Sequence, residues 1–155
     1  MTTIVVGPSA ALARALDDAV IIDGSTDEAV WETLVALQTA HSSKAARIVL
    51  ILPTVGIAGA AGAVDYTTAI EGIRAMAKSA ARQWASEGIA VNIVVAPAHL
   101  FARDVDASHL SVAAVPADGA LIHSVTETAA FLLRDDLRHL TGDTIVVDGG
   151  SVMLP

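Results

Sequence analysis

Arg47-Ile-Val-Leu-Ile-Leu-Pro53 is the stretch that decides the fold class of this chain. It is an unbroken aliphatic run that ends at a proline, and strands of this kind are buried on both faces in parallel sheets covered by helices. A second run, Ile89-Ala-Val-Asn-Ile-Val-Val95, has the same character and ends just before Pro97. The two runs predict interior strands of a parallel sheet.

Shorter apolar runs and helical patterns alternate around these two strands. We predict further strands at Thr3–Val6, Ala19–Asp23 and Asp143–Asp148, and helices at Ser9–Leu16, Asp27–Ala40, Val64–Ser86 and Ser124–Leu133. Strands that alternate with helices form right-handed βαβ units. The sequence therefore predicts a single domain over residues 1–155 with an α/β fold: a doubly wound, Rossmann-like parallel sheet of about five strands with helices on both faces.

The composition excludes several classes of function. A formal net charge of -8 argues against nucleic acid, whose phosphates are bound by lysine and arginine. The lack of cysteine excludes disulfides and thiolate sites, and it favours a reducing compartment. The N-terminal segment has no signal-peptide features, and no apolar run approaches the roughly 18 residues of a membrane span. We therefore expect a cytoplasmic protein that binds neither nucleic acid nor membrane.

Several short segments from Ala46 onward carry a resemblance. Ala46-Arg-Ile-Val-Leu-Ile-Leu-Pro-Thr-Val-Gly56 is followed by Tyr66, then by Glu87-Gly-Ile-Ala-Val-Asn92, and then by Leu140-Thr-Gly-Asp-Thr-Ile-Val-Val-Asp-Gly-Gly150. In their order and spacing these segments resemble the short-chain dehydrogenase/reductase family, and within it the β-ketoacyl carrier-protein reductase branch. The resemblance covers about two-thirds of the chain and implies the family's Rossmann-like fold.

The N-terminal part is similar to the same family, but shortened. Val6-Gly-Pro-Ser-Ala-Ala-Leu-Ala-Arg-Ala-Leu16 resembles the cofactor loop and first helix. Ala19-Val-Ile-Ile-Asp-Gly-Ser25 resembles the family's fourth strand more than its second. Loss of the fourth strand would open a gap inside the sheet, whereas loss of the second and third would trim one edge. We therefore expect the family's strands one, four, five, six and seven, in that order across the sheet. The second strand of this chain would then lie between the first and the third.

The resemblance implies a catalytic serine, a tyrosine, and a lysine one helical turn after the tyrosine. Tyr66 stands at the tyrosine position, but Pro53 stands at the serine position and Ile70 at the lysine position. Proline has no hydroxyl, and isoleucine has neither a charge nor a donor. Thr54 offers a hydroxyl one residue along, but successive strand residues point to opposite faces. We expect Tyr66 to be a vestigial catalytic residue that packs on its neighbours.

The cofactor loop departs from the family in the same way. Gly7 is kept, but Ala11 and Ala13 stand where the second and third glycines of the dinucleotide fingerprint belong. Asp23 is an alternative ribose ligand, but it follows the glycines too soon, because the fingerprint expects an acidic residue about 20 positions further on. We therefore predict no cofactor-binding residues and no bound NAD(P).

A metal site is the other chemical alternative. His99, Asp104, Asp106 and His109 lie in the segment Ala98–Gly119, which we predict to be irregular. No helix or strand spacing fixes them as ligands, so we expect a polar loop and no metal.

These observations leave three functional hypotheses. The first is a non-catalytic subunit that assembles with itself or with an active dehydrogenase through helices 27–40 and 64–86 and the C-terminal region 124–155, where the family oligomerises. The second is an NAD(P)-dependent oxidoreductase with an altered proton relay on Tyr66. The third is a binder of small acyl-type ligands in a cleft lined by Ile57, Val95 and Leu100.

Overall fold

The computed structural model describes residues 1–23, 26–101, 105–106 and 112–153. Its strands are β1 (Thr2–Val6), β2 (Val20–Ile22), β3 (Arg47–Pro53), β4 (Ala90–Ala96) and β5 (Thr144–Val146). They form one sheet in the order β2-β1-β3-β4-β5, and every neighbouring pair is parallel. The predicted α/β fold with a parallel sheet of five strands is confirmed.

Helices cover both faces of the sheet, as predicted. They are α1 (Ala10–Ala15), α2 (Thr26–Ser42), α3 (Val55–Ala58), α4 (Val64–Trp84) and α5 (Ala120–Leu132). α2 and α4 pack against alternate strand residues such as Ile4 and Leu50. α1 and α5 pack against the residues between them, such as Val5 and Ile51. Within the described residues, no helix is both long and apolar enough to span a bilayer.

Some predicted elements shift by a few residues, and some change type. α5 begins at Ala120 rather than at Ser124, and α4 ends at Trp84, after which a 3-10 turn spans Ala85–Glu87. The short helix α3 follows β3 directly, where the sequence analysis placed no helix. The segment predicted as irregular opens with another 3-10 turn, Ala98–Leu100. These 3-10 turns fix the positions of nearby side chains, and the apolar periodicity of the sequence does not predict those positions.

The position of β2 differs from the prediction. We expected β2 between β1 and β3, but β1 pairs directly with β3, from Thr2 beside Ile48 to Val5 beside Ile51. β2 pairs with the opposite side of β1 and lies at the edge of the sheet. Burial gives the reason: an interior strand is covered on both faces, whereas β2 has three residues and its Val20 is 40% exposed. The predicted strand order was therefore wrong.

Arg47, the first residue of β3, secures the amino end of the sheet. Its guanidinium is buried and donates only to backbone carbonyls: Nε to Arg134 (3.1 Å), Nη1 to Ala46 (2.8 Å) and Gly88 (3.2 Å), and Nη2 to Asp135 (3.1 Å). The carbonyls of Arg134 and Asp135 follow the C-terminus of α5, where a helix leaves carbonyl groups unpaired and favours a cation. One side chain thus joins β3, the turn before β4 and the end of α5.

α3 packs on α4 through the backbone of Gly56. A Cβ atom placed on Gly56 would overlap Cγ2 of Ile70 and would lie 3.1 Å from its Cβ. Ile70 is almost fully buried, so it has little free space into which it could move. A glycine at position 56 is therefore required for this close approach.

We predict that Gly56→Ala lowers the free energy of unfolding by about 1–3 kcal/mol, because the added methyl overpacks the contact with Ile70. Gly72→Ala is the matched control: it lies on the exposed side of α4, its Cβ would meet nothing within 4 Å, and it should raise stability by roughly 0.5–1 kcal/mol. Urea unfolding measures both changes. The double variant Gly56→Ala/Ile70→Ala should show a favourable coupling energy, and strict additivity would contradict the contact.

Candidate functional site

The carboxyl ends of β1 and β3 form the expected ligand crevice. Open α/β sheets bind ligands outside the carboxyl ends of the strands, at the point where successive connections leave in opposite directions. For the order β2-β1-β3-β4-β5 this point lies between β1 and β3. Gly7 follows β1, and Thr54 follows β3. A nucleotide would be expected at this crevice.

Tyr66 closes one side of the crevice. It lies in the first turn of α4, is only 8% exposed, and belongs to the same buried cluster as Val6, Ile22 and Ile70. The cavity that it lines together with Gly7 measures about 10 Å³. That volume is at the lower limit for a single water molecule. Tyr66 is therefore a packed side chain at the end of β1.

Phe101 closes the other side. It is 2% exposed and clusters with Leu12, Ile51 and Val94 on the opposite face of the sheet. Gly7 has φ +120°, and a Cβ atom on it would lie 2.9 Å from Cδ1 of Phe101. The ring of Phe101 therefore lies directly on the backbone of Gly7. Two aromatic side chains, one from each face, fill the space beside this glycine.

Sequence reasoning missed Phe101, because it lies in a segment that was predicted to be irregular. A signal was available: the chain contains only two phenylalanines, and Phe101 follows Leu100 directly after the apolar run of β4. An isolated aromatic residue beside a strand end is more often buried than exposed. The 3-10 turn Ala98–Leu100 carries it back over β1, and no periodic pattern encodes such a turn.

The alanines of the cofactor loop are placed differently from fingerprint glycines. The third glycine of a dinucleotide fingerprint lets the helix pack closely on the strand. Ala13 is exposed instead, and Leu12 is the residue of α1 that packs inward. Ser9 caps α1 by accepting a hydrogen bond from the amide of Leu12 at 3.3 Å, so its hydroxyl serves the helix. Asp23, the alternative ribose ligand, is exposed beyond β2.

The structure does not bring the remaining catalytic positions together. Pro53 ends β3 beside Ala96 of β4, and Ile70 is buried against Gly56. Thr54 is 1% exposed and its amide donates to the carbonyl of Ala96 at 2.9 Å. Thr54 lines a different cavity from Tyr66, and the described residues around the two cavities have no member in common. Thr54 therefore does not replace the missing serine beside Tyr66.

The cavity that Thr54 lines is much larger, about 700 Å³, and lies at the carboxyl ends of β3, β4 and β5. Its described walls come from the turn after β4, the segment before α5, the first turns of α5 and the loop after β5, with Pro97, His99, Val115, Leu121, Ser124 and Asp148 among them. The size falls within the range of small-molecule sites.

The predicted lining of the acyl cleft was wrong. Ile57, Val95 and Leu100 are not among the described residues that line the cavity. Val95 is 1% exposed because its side chain points into the core under α2 and α4. Ile57 packs against the same cluster, and Leu100 packs against the cluster under α1 and α5. All three therefore belong to the core rather than to a cleft.

The loop after β5 builds one wall of the cavity. The carboxylate of Asp148 accepts hydrogen bonds from the amides of Gly150 and Val152 (both 2.8 Å) and from the hydroxyl of Ser151 (2.6 Å). Gly149 has φ +71°, its carbonyl accepts from the amide of Val115 at 2.9 Å, and a Cβ on it would overlap the Val115 carbonyl. The wall is therefore fixed by backbone contacts that only glycine allows.

The proposed metal ligands are only partly described. Asp104 and His109 lie outside the described residues, while His99 is exposed at the rim of the large cavity. Across the described ranges, no three histidine, aspartate or glutamate side chains come together as a possible metal site.

The comparisons with known proteins agree on one family. A family model described as Enoyl-(Acyl carrier protein) reductase matches residues 28–152. The chain is similar to 3-oxoacyl-(acyl-carrier-protein) reductase FabG of Salmonella typhimurium (strain LT2), with 38% identity over 115 residues that cover 70% of this chain and 46% of that protein. FabG of Escherichia coli (strain K12) is 37% identical over the same length. FabG of Staphylococcus aureus (strain Mu50) is 34% identical over 112 residues, which cover 68% of this chain and 45% of that protein.

The extent of these matches fits the structure. The family match begins in α2 and continues past β5, so it contains Tyr66, the large cavity and the loop of Asp148. β1, α1 and β2 precede it, and this is the part where the predicted strand order was wrong. The matched segment spans about half the length of the curated relatives. By sequence and by fold, this chain belongs to the short-chain dehydrogenase/reductase family, among its FabG-like members.

Proposed function

We propose that this chain is a non-catalytic member of its family, and that it acts as a subunit that assembles with itself or with an active dehydrogenase or 3-oxoacyl reductase. One observation carries the proposal: Tyr66 is sealed into the core beside a cavity of about 10 Å³. A tyrosine that donates a proton to a substrate needs that substrate within hydrogen-bond reach. The cavity that the described residues form beside Tyr66 is too small to hold one.

The neighbouring positions support the same conclusion. Ile70 lies one turn after Tyr66 and is 2% exposed, so this position offers no cation to favour a tyrosinate. Pro53 has no hydroxyl with which to hold a carbonyl. The two substitutions remove both partners that a catalytic tyrosine in this family uses.

A nicotinamide cofactor does not fit the described residues of the crevice. Phe101 lies on the backbone of Gly7, the glycine of the tight turn, and Ala11 stands where a second glycine would let the backbone approach a pyrophosphate. Leu12, rather than a glycine, packs α1 onto the sheet. Tyr66 fills the space beside β1 on the other face. The proposed function therefore includes no step through NAD(P).

Two helices offer a surface for assembly. α2 and α4 lie side by side on one face of the sheet. The outward side of α4 carries small or short side chains at helical spacing, namely Thr68, Gly72, Ala75 and Ser79. Short side chains let two helices approach closely. In the C-terminal region Phe131 and Met153 are exposed, which adds apolar surface there.

We predict that titration with NADH or NADPH gives no saturable change in nucleotide fluorescence. The Escherichia coli FabG relative serves as the positive control. Pro53→Ser/Ile70→Lys should also fail to bind, because neither change removes the ring of Phe101 from Gly7. Saturable micromolar binding by the unmodified chain would contradict the proposal and would favour an oxidoreductase with an altered site on Tyr66.

We predict that Ala75→Glu dissociates the assembly, because it places a charge in the middle of the α4 surface. Ala13→Glu makes the same change on α1, on the opposite face of the sheet, and should leave the assembly intact. Light scattering after size-exclusion chromatography measures the mass of both variants. A monomer at all concentrations, together with no dehydrogenase recovered by pull-down from the native cell, would contradict the subunit proposal.

A second candidate function is the binding of a small acyl-type ligand, and the 700 Å³ cavity is the observation that favours it. We predict that short acyl-CoA compounds raise the Tm of the chain, and that Ser124→Phe abolishes the increase by filling the cavity from α5. His123→Phe adds a ring to an exposed position of the same helix outside the cavity and should keep the effect. Equal increases in both variants would place binding elsewhere.

A further inference from the structure

The outer edge of β2 forms a groove, and one of its walls is a side of α2, a helix that the proposed assembly also uses. The groove has a volume of about 750 Å³, and its floor is β2 itself. One wall is the side of α2 that carries Trp31, Val35 and Ala36. Trp31 is 67% exposed, and Val35 and Val20 are each about two-fifths exposed. Contiguous apolar surface of this kind marks a place where something binds.

The backbone of β2 is available for pairing. Within the described part of the chain, β2 pairs with β1 on one side and with no strand on the other. An open edge presents unpaired N–H and C=O groups, and these are a template for another extended chain. A strand added here would direct every second side chain toward Trp31 and Val35, because side chains alternate along a strand.

The charged side chains among the described residues that line the groove are all acidic. Asp18, Asp23 and Glu32 line it and are exposed, and no lysine, arginine or histidine side chain is among its described lining residues. Asp18 precedes β2 and Asp23 follows it, so carboxylates stand at both ends of the open edge, roughly 15 Å apart at about 3.3 Å per extended residue. An occupant with cationic side chains at its two ends would meet them.

We propose that this groove binds an extended segment of another protein, roughly five to seven residues long. The segment has apolar side chains at alternate positions and a lysine or arginine at each end. A second copy of this chain fits poorly, since two such grooves facing each other would bring six carboxylates together, three from each copy. The inference does not rest on whether Tyr66 is catalytic or on assembly through α4.

The test uses two capped peptides, Lys-Val-Thr-Val-Thr-Val-Lys and Glu-Val-Thr-Val-Thr-Val-Glu, at low ionic strength. In the Trp84→Phe variant, Trp31 is the remaining tryptophan and reports burial by a blue shift of its fluorescence. The cationic peptide should bind saturably and at least tenfold more tightly than the acidic one. If Trp84→Phe fails to fold, the shift is followed in the wild-type chain and should vanish in Trp31→Phe.

Charge reversal provides the decisive comparison. Asp23→Lys/Glu32→Lys should invert the preference, so that the acidic peptide binds more tightly. Asp65→Lys/Glu127→Lys changes the net charge equally at exposed sites outside the groove and should leave the preference unchanged. Equal affinity for both peptides, or no saturable shift, would overturn the proposal. The same change of preference in both double variants would overturn it too. So would self-association of the chain that Asp23→Lys/Glu32→Lys strengthens.

Discussion

Direct pairing between β1 and β3 is the constraint on which the rest of the structure depends. Because these two strands are neighbours, β2 has no place inside the sheet and lies at its edge. The same pairing brings the end of β1 beside the end of β3, where α4 begins nearby and the turn after β4 crosses over. Phe101 then lies on the backbone of Gly7 on one face of the sheet, and Tyr66 lines a small cavity with Gly7 on the other. The closed crevice and the open edge therefore have one cause.

The two ends of the sheet consequently have different characters. At the carboxyl ends, the space beside β1 is closed. The larger cavity lies near β4 and β5, where Gly149 and Asp148 fix the conformation of its wall. At the amino ends, Arg47 donates to carbonyls that lie just before β3, before β4 and after α5. The firmly held parts of the molecule are thus the amino end of β3 and the loop after β5, and neither contains a catalytic residue that the family resemblance assigned.

The sequence predicted those features that depend on local periodicity or on alignment. The aliphatic runs of β3 and β4 implied a parallel sheet, and the helical pattern over Val64–Ser86 implied α4; both predictions are confirmed. The place of β2 could not be predicted, because three residues carry little pattern and strand order depends on contacts distant in sequence. Phe101 was missed for a similar reason: a 3-10 turn positions it, and such a turn has no apolar period.

Gly7 has a packing requirement that does not depend on any cofactor. In a dinucleotide fingerprint the first glycine serves a tight turn beside a phosphate. Here the same backbone position, with its positive φ, receives the ring of Phe101. Any larger residue would strain the turn and collide with the ring, so natural selection would preserve this glycine even in chains that never meet a nucleotide. Among homologues with an aromatic residue in the turn after β4, an invariant glycine at this position would therefore record protein packing, and it would be misleading evidence of dinucleotide binding.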